Sequence, residues 1–87
     1  MKVIIYSKDQ CPYCDMAVRE ATDNNVDLTI MKLGLDFERE QLMETFPTAR
    51  TFPQIIVDGE KIGGYQEFTK LLRAAKANNS DATKDII

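Results

Sequence analysis

A short aliphatic run near the start of the chain, Val3-Ile4-Ile5, is followed a few residues later by Pro12, a residue tolerated in a helix only within its first turn. Together these two features set the opening architecture. Lys2–Tyr6 reads as a buried central strand, with β-branched residues in an unbroken apolar run. A polar connection leads to a helix from Cys11 to about Asn24, on which Cys14, Ala17, Val18 and Ala21 make one apolar face. Val26, Leu28 and Ile30 alternate with Asp27 and Thr29, as in a strand with one wetter face.

The remainder is punctuated as clearly. Asp36 is the expected N-cap of a second helix running to Phe46 and stopped by Pro47, with Glu38 in its first turn. Gln54–Val57 and Glu60–Ile62 flank Asp58-Gly59, a strong signal for a tight hairpin. Gly63-Gly64 then breaks the chain before a last helix, Tyr65–Ala77, whose face is Phe68, Leu71, Leu72 and Ala75. The order is βαβ, then α, then ββα. The first unit needs a parallel pair with a right-handed crossover and the hairpin an antiparallel one. The expected fold is therefore α/β, a four-stranded mixed sheet with three helices. Residues 1–77 make one domain, and 78–87 a polar tail.

Charge and composition exclude several classes. The net charge of −3 lacks the clustered basic surface that nucleic-acid binding requires. No apolar run approaches the length of a membrane span. The apolar run after Lys2 is too short for a signal peptide, so the expected compartment is cytoplasmic. With two cysteines and no histidine, one chain cannot assemble the four Cys/His ligands of a structural zinc site, nor a Cys–His protease pair.

Both cysteines lie in Cys11-Pro12-Tyr13-Cys14, at the carboxyl end of the first strand, where open α/β sheets place their chemistry. Pro12 at the first helical position makes Cys11 the N-cap and Cys14 the N3 residue. Side chains at those positions approach each other, as capping boxes do, so the two sulfurs come within disulfide reach. The N-cap sulfur meets unpaired backbone N–H groups and the positive end of the helix dipole, surroundings that favour a thiolate. Lys8 adds positive charge nearby, partly opposed by Asp9 and Asp15. Cys11 is then the attacking thiol and Cys14, one turn in on the apolar face, the resolving one.

Three separated motifs resemble the glutaredoxin family, over Lys2 to about Lys76. Lys8-Asp9-Gln10-Cys11-Pro12-Tyr13-Cys14 resembles its dithiol active site with the upstream lysine. Arg50-Thr51-Phe52-Pro53-Gln54 resembles its cis-proline segment, and Gly63-Gly64-Tyr65-Gln66-Glu67-Phe68 its glycine-glycine motif. The resemblance implies a thioredoxin-like fold and a glutathione groove beside Cys11, with Tyr13 and Thr51 in its walls. Lys8 and Arg50 would take the glycyl carboxylate. The Phe52 backbone, before a cis Pro53, would pair with the cysteinyl backbone as an added strand edge. Free N–H groups at Tyr65, Gln66 and Glu67 would receive the γ-glutamyl carboxylate, with Glu67 accepting from the ammonium. A bulky residue at Gly64 would push that backbone away from the ligand. The sequence departs from the family pattern at Phe52, commonly valine, and at Glu67, commonly aspartate.

The implied function is a glutathione-dependent thiol–disulfide oxidoreductase reducing protein disulfides and glutathione mixed disulfides. It is expected to act as a monomer without bound cofactor or metal, with glutathione as co-substrate and disulfide-containing or glutathionylated proteins as clients; ribonucleotide reductase is a common client in the family. Two alternatives stand beside it. A dithiol redoxin recharged by a flavoprotein reductase would keep the cysteines but lack the groove. A binding module holding an iron–sulfur cluster between two chains would draw one thiolate from each chain and the others from glutathione.

Overall fold

Alternation along β1 (Lys2–Ser7) turns Val3 and Ile5 to one face of the sheet and Tyr6 to the other, and the helices pack according to that split. The computed structural model describes residues 1–47 and 51–86, with side chains described as far as residue 75. Along the chain follow α1 (Pro12–Asp23), β2 (Asp27–Lys32), α2 (Arg39–Thr45), β3 (Gln54–Val57), β4 (Glu60–Gly63) and α3 (Tyr65–Ile86). The four strands are ordered β2-β1-β3-β4. β1 runs parallel to β2 and antiparallel to β3, and β3 antiparallel to β4. This is the expected mixed sheet with its three helices.

Ala17 and Ala21 of α1 and Phe68 and Leu72 of α3 bury against Val3, Ile5, Ile55 and Val57 on one face. The small alanines let α1 lie close to the sheet, while Phe68, fully buried, fills the space beneath α3. On the other face Phe37, Leu42 and Phe46 pack with Tyr6, Leu33, Phe52 and Ile56. Tyr6 stands edge-on to Phe37 at 5.0 Å and to Phe46 at 5.5 Å, so rings dominate this second, smaller core. The hairpin closes through Asp58 and Gly59, both at positive φ (50° and 86°) as a two-residue primed turn requires. The Asp58 carboxylate also accepts from the Lys2 backbone N–H at 2.8 Å, tying the turn to the start of β1.

Three expectations need correction. Asp36 does not cap α2: its carboxylate accepts from the Lys32 backbone N–H at 2.9 Å and closes the preceding loop. The cap passes to Glu38, whose N–H donates to the Gln41 side chain at 2.7 Å, and the helix starts at Arg39. β2 is an edge strand reaching Lys32, and Ile30, expected on its drier face, is 44% exposed. Finally, α3 continues past Ala77 to Ile86. No glycine or proline lies in 78–86 to stop it, and asparagine, serine and threonine lower helix propensity without abolishing it.

Candidate functional site

Pro12 opens α1 and Cys11 caps it, with φ −124° and ψ 97°, the extended geometry of an N-cap. The Cys14 backbone N–H donates to Cys11 Sγ at 3.2 Å, so the sulfur stands where a capping oxygen ordinarily does. Cys11 and Cys14 are disulfide-bonded, with Cα atoms 5.2 Å apart. Both are largely covered, Cys11 at 7% exposure and Cys14 at 2%. The slightly more exposed residue is thus the one whose sulfur accepts from a helix N–H. Gln10, just before it, sits at φ 53°, a left-handed conformation uncommon for a residue with a side chain.

Beside this cap runs a groove of about 730 Å³. It is walled by Tyr13 from α1, by Thr51, Phe52, Pro53 and Gln54 at the entry to β3, and by Gly63, Gly64, Tyr65, Gln66 and Glu67 at the start of α3. Thr45, Phe46 and Pro47 after α2, and Lys61 and Ile62 on β4, complete it. The Phe52–Pro53 peptide bond is cis. Among the described residues no hydrogen bond engages the Phe52 backbone N–H and C=O, the groups an extended ligand would pair with. Tyr13 and Tyr65 stand 5.7 Å apart and bring the starts of α1 and α3 together at the groove.

At the far wall, Phe68 N–H returns to the Gly64 carbonyl at 3.0 Å, making Gly64 the cap and leaving the first-turn N–H groups of α3 for an anion. Glu67 is partly occupied there. Its Oε2 accepts from the Gly64 N–H at 3.2 Å, so the carboxylate folds back over its own helix terminus. The demanding glycine is Gly63 rather than Gly64. Gly63 has φ +113°, and a Cβ on it would lie 3.2 Å from the Glu67 side chain. A Cβ on Gly64 would meet the Pro53 carbonyl at 3.4 Å and Glu67 Oε2 at 3.7 Å, both ordinary contacts.

The residues singled out from the sequence divide as follows. Tyr13, Thr51, Phe52, Pro53, Gly64, Tyr65, Gln66 and Glu67 share the groove. Arg50 lies outside the described residues. Lys8 lines a separate cavity of about 320 Å³, with Cys14, Asp9 and Lys32. Its ammonium sits 5.6 Å from the centre of the Phe52 ring. Asp9 bonds the Lys32 ammonium at 2.8 Å and holds it above the ordinary lysine range. That pairing partly neutralises the carboxylate closest in sequence to Cys11. Lys61, Gln54 and the Thr45–Pro47 wall were not legible as site residues, because which face of β4 meets α2 depends on register. The alternation that puts Lys61 on the face opposite Ile62 was the available signal.

The sequence model of the glutaredoxin family matches residues 3–62. Mitochondrial glutaredoxin-2 of Rattus norvegicus is 34% identical over 77 residues, an alignment covering 85% of this chain and 49% of the relative. The chain thus spans about half the length of that curated relative. Among solved structures, glutaredoxin 1 from Francisella tularensis, complexed with cacodylate, superposes with a TM-score of 0.64 at 32% identity, covering 90% of this chain and 96% of that one. Oxidized Escherichia coli glutaredoxin has the same fold, with a TM-score of 0.71 at 24% identity over 84% of this chain and 94% of that one.

Proposed function

The chain belongs to the glutaredoxin family, and on that premise we propose that it reduces protein disulfides and glutathione mixed disulfides with electrons from glutathione. The observation that carries this reading is the bonded Cys11–Cys14 pair at a helix N-terminus beside a groove whose backbone donors at the start of α3 have, among the described residues, no hydrogen-bond partner.

With a glutathionylated client, the Cys11 thiolate attacks the glutathione sulfur. A Cys11–glutathione disulfide forms, and the client thiolate leaves and takes a proton. A second glutathione thiolate attacks the glutathione sulfur of that adduct, releasing glutathione disulfide and restoring Cys11. With a protein disulfide, Cys11 forms a mixed disulfide with the client, and Cys14 attacks the Cys11 sulfur. The reduced client departs, leaving the Cys11–Cys14 disulfide seen here, which two glutathione molecules reduce. Backbone groups do the positioning: the Cys14 N–H donates to the Cys11 sulfur, the Phe52 N–H and C=O pair along the cysteinyl unit, and the α3 terminus donates to the γ-glutamyl carboxylate.

Cys11→Ser should abolish every activity. Cys14→Ser should lose protein-disulfide reduction yet keep deglutathionylation, since glutathione itself releases the adduct. Turnover of both substrate types is then followed with glutathione plus its reductase, and separately with thioredoxin reductase. Efficient turnover only with the flavoprotein would replace glutathione as the electron source and leave the dithiol chemistry intact.

A further inference from the structure

The groove carries two charged side chains among the described residues that line it, Glu67 and Lys61, and they face different duties. Glu67 is folded onto the Gly64 N–H, at the α3 end. Lys61 stands on the opposite side of β4, its ammonium 5.9 Å from the centre of the Phe46 ring. That ring is a fixed seat: Phe46 is 6% exposed, packed with Leu42 and set edge-on to Tyr6 at 5.5 Å. Among the described residues no carboxylate pairs with Lys61. An ammonium over an aromatic face keeps its N–H donors for a ligand, because the attraction to the ring needs no hydrogen bond. Lys8, the lysine that the sequence pointed to, lines the other cavity.

We propose that Lys61 is a specificity-determining residue of this groove, receiving a carboxylate of the bound substrate beside Phe46 and Pro47. The assignment rests on the disulfide exchange proposed above. The carboxylate comes either from the glutathione glycyl end or from an acidic side chain of the client next to its reacting cysteine.

Wild type, Lys61→Gln, Lys61→Arg and Lys61→Glu are compared in steady-state turnover. In one arm the reductant is glutathione or its glycyl monoethyl ester, acting on hydroxyethyl disulfide. In the other the substrate is a glutathionylated peptide with aspartate or asparagine beside the modified cysteine. Partly exposed ion pairs correspond to roughly two- to five-fold in affinity. Lys61→Gln should raise KM by that factor for the carboxylate-bearing member of one pair and leave its neutral twin unchanged. Lys61→Arg should restore the wild-type value, and Lys61→Glu should exceed the glutamine effect. The kcat and the rate of Cys11 alkylation by iodoacetamide should not move. A response confined to the ester pair assigns the glycyl carboxylate; one confined to the peptide pair assigns the acidic client. Indifference of KM to charge at position 61 in both pairs overturns the role of Lys61 while the exchange chemistry stands. Absence of wild-type turnover with glutathione overturns both.

Discussion

Phe52 places an aromatic face 5.6 Å from the Lys8 ammonium and has Phe37 at 6.3 Å as its own neighbour. The lysine is therefore seated by a residue far from it in sequence, and the tetrad Lys8-Asp9-Gln10-Cys11 gives no sign of this. What was legible at this scale was the cysteine pair, because proline and helix position alone dictate its geometry. Where the lysine would rest was not, because a flexible stem follows whatever surface the fold presents. An exposed cation–π contact contributes about 0.5–1 kcal/mol. Phe52→Leu should therefore slow Cys11 alkylation at a fixed neutral pH by up to a few-fold and move its pH profile upward, as Lys8→Gln should. Phe52→Tyr should retain the wild-type profile. Iodoacetamide rates against pH decide it, and an unchanged profile in both Phe52→Leu and Lys8→Gln would mean that Lys8 exerts no influence on the sulfur.

Elements whose ends are set by one dominant residue appear where the sequence puts them. α1 begins at Pro12 because no other position suits a proline so near a cap, and β3 and β4 meet at Asp58-Gly59 because both residues accept positive φ. α2 is different, since Asp36 and Glu38 both offer carboxylates near its start, and closure of the loop onto Lys32 decides between them. Edge position likewise leaves no trace in periodicity, so the exposure of Ile30 follows only from the strand order. The glycine pair shows the same limit, because composition cannot say which of the two carries the strained conformation. Gly63→Ala should cost about 1–3 kcal/mol for a side chain forced to φ +113°. Gly64→Ala, at an ordinary cap geometry, should cost less than about 1 kcal/mol. Urea midpoints of the two variants measure the difference, and equal losses would refute the assignment of strain to Gly63.

For the molecule as a whole, two cores on opposite faces of one sheet serve separate ends. The larger, under α1 and α3, carries stability. Phe68→Ala should cost about 3–5 kcal/mol, which at about 4–8 °C per kcal/mol for a domain of this size lowers Tm by at least about 12 °C. Thermal melting followed by circular dichroism tests this, and a shift of only a few degrees would mean that the α3 side collapses to fill the void. The smaller core does something else. Phe52 lies beside Phe37, Phe37 beside Tyr6, and Tyr6 beside Phe46, so the rings that seat Lys8 and Lys61 belong to one continuous array. The seats of those two positive charges are thus joined through packed aromatic rings. A substitution that moves one ring of the array would move a lysine seat, and at Phe52, which meets both Lys8 and the groove, the change would reach the thiol as well.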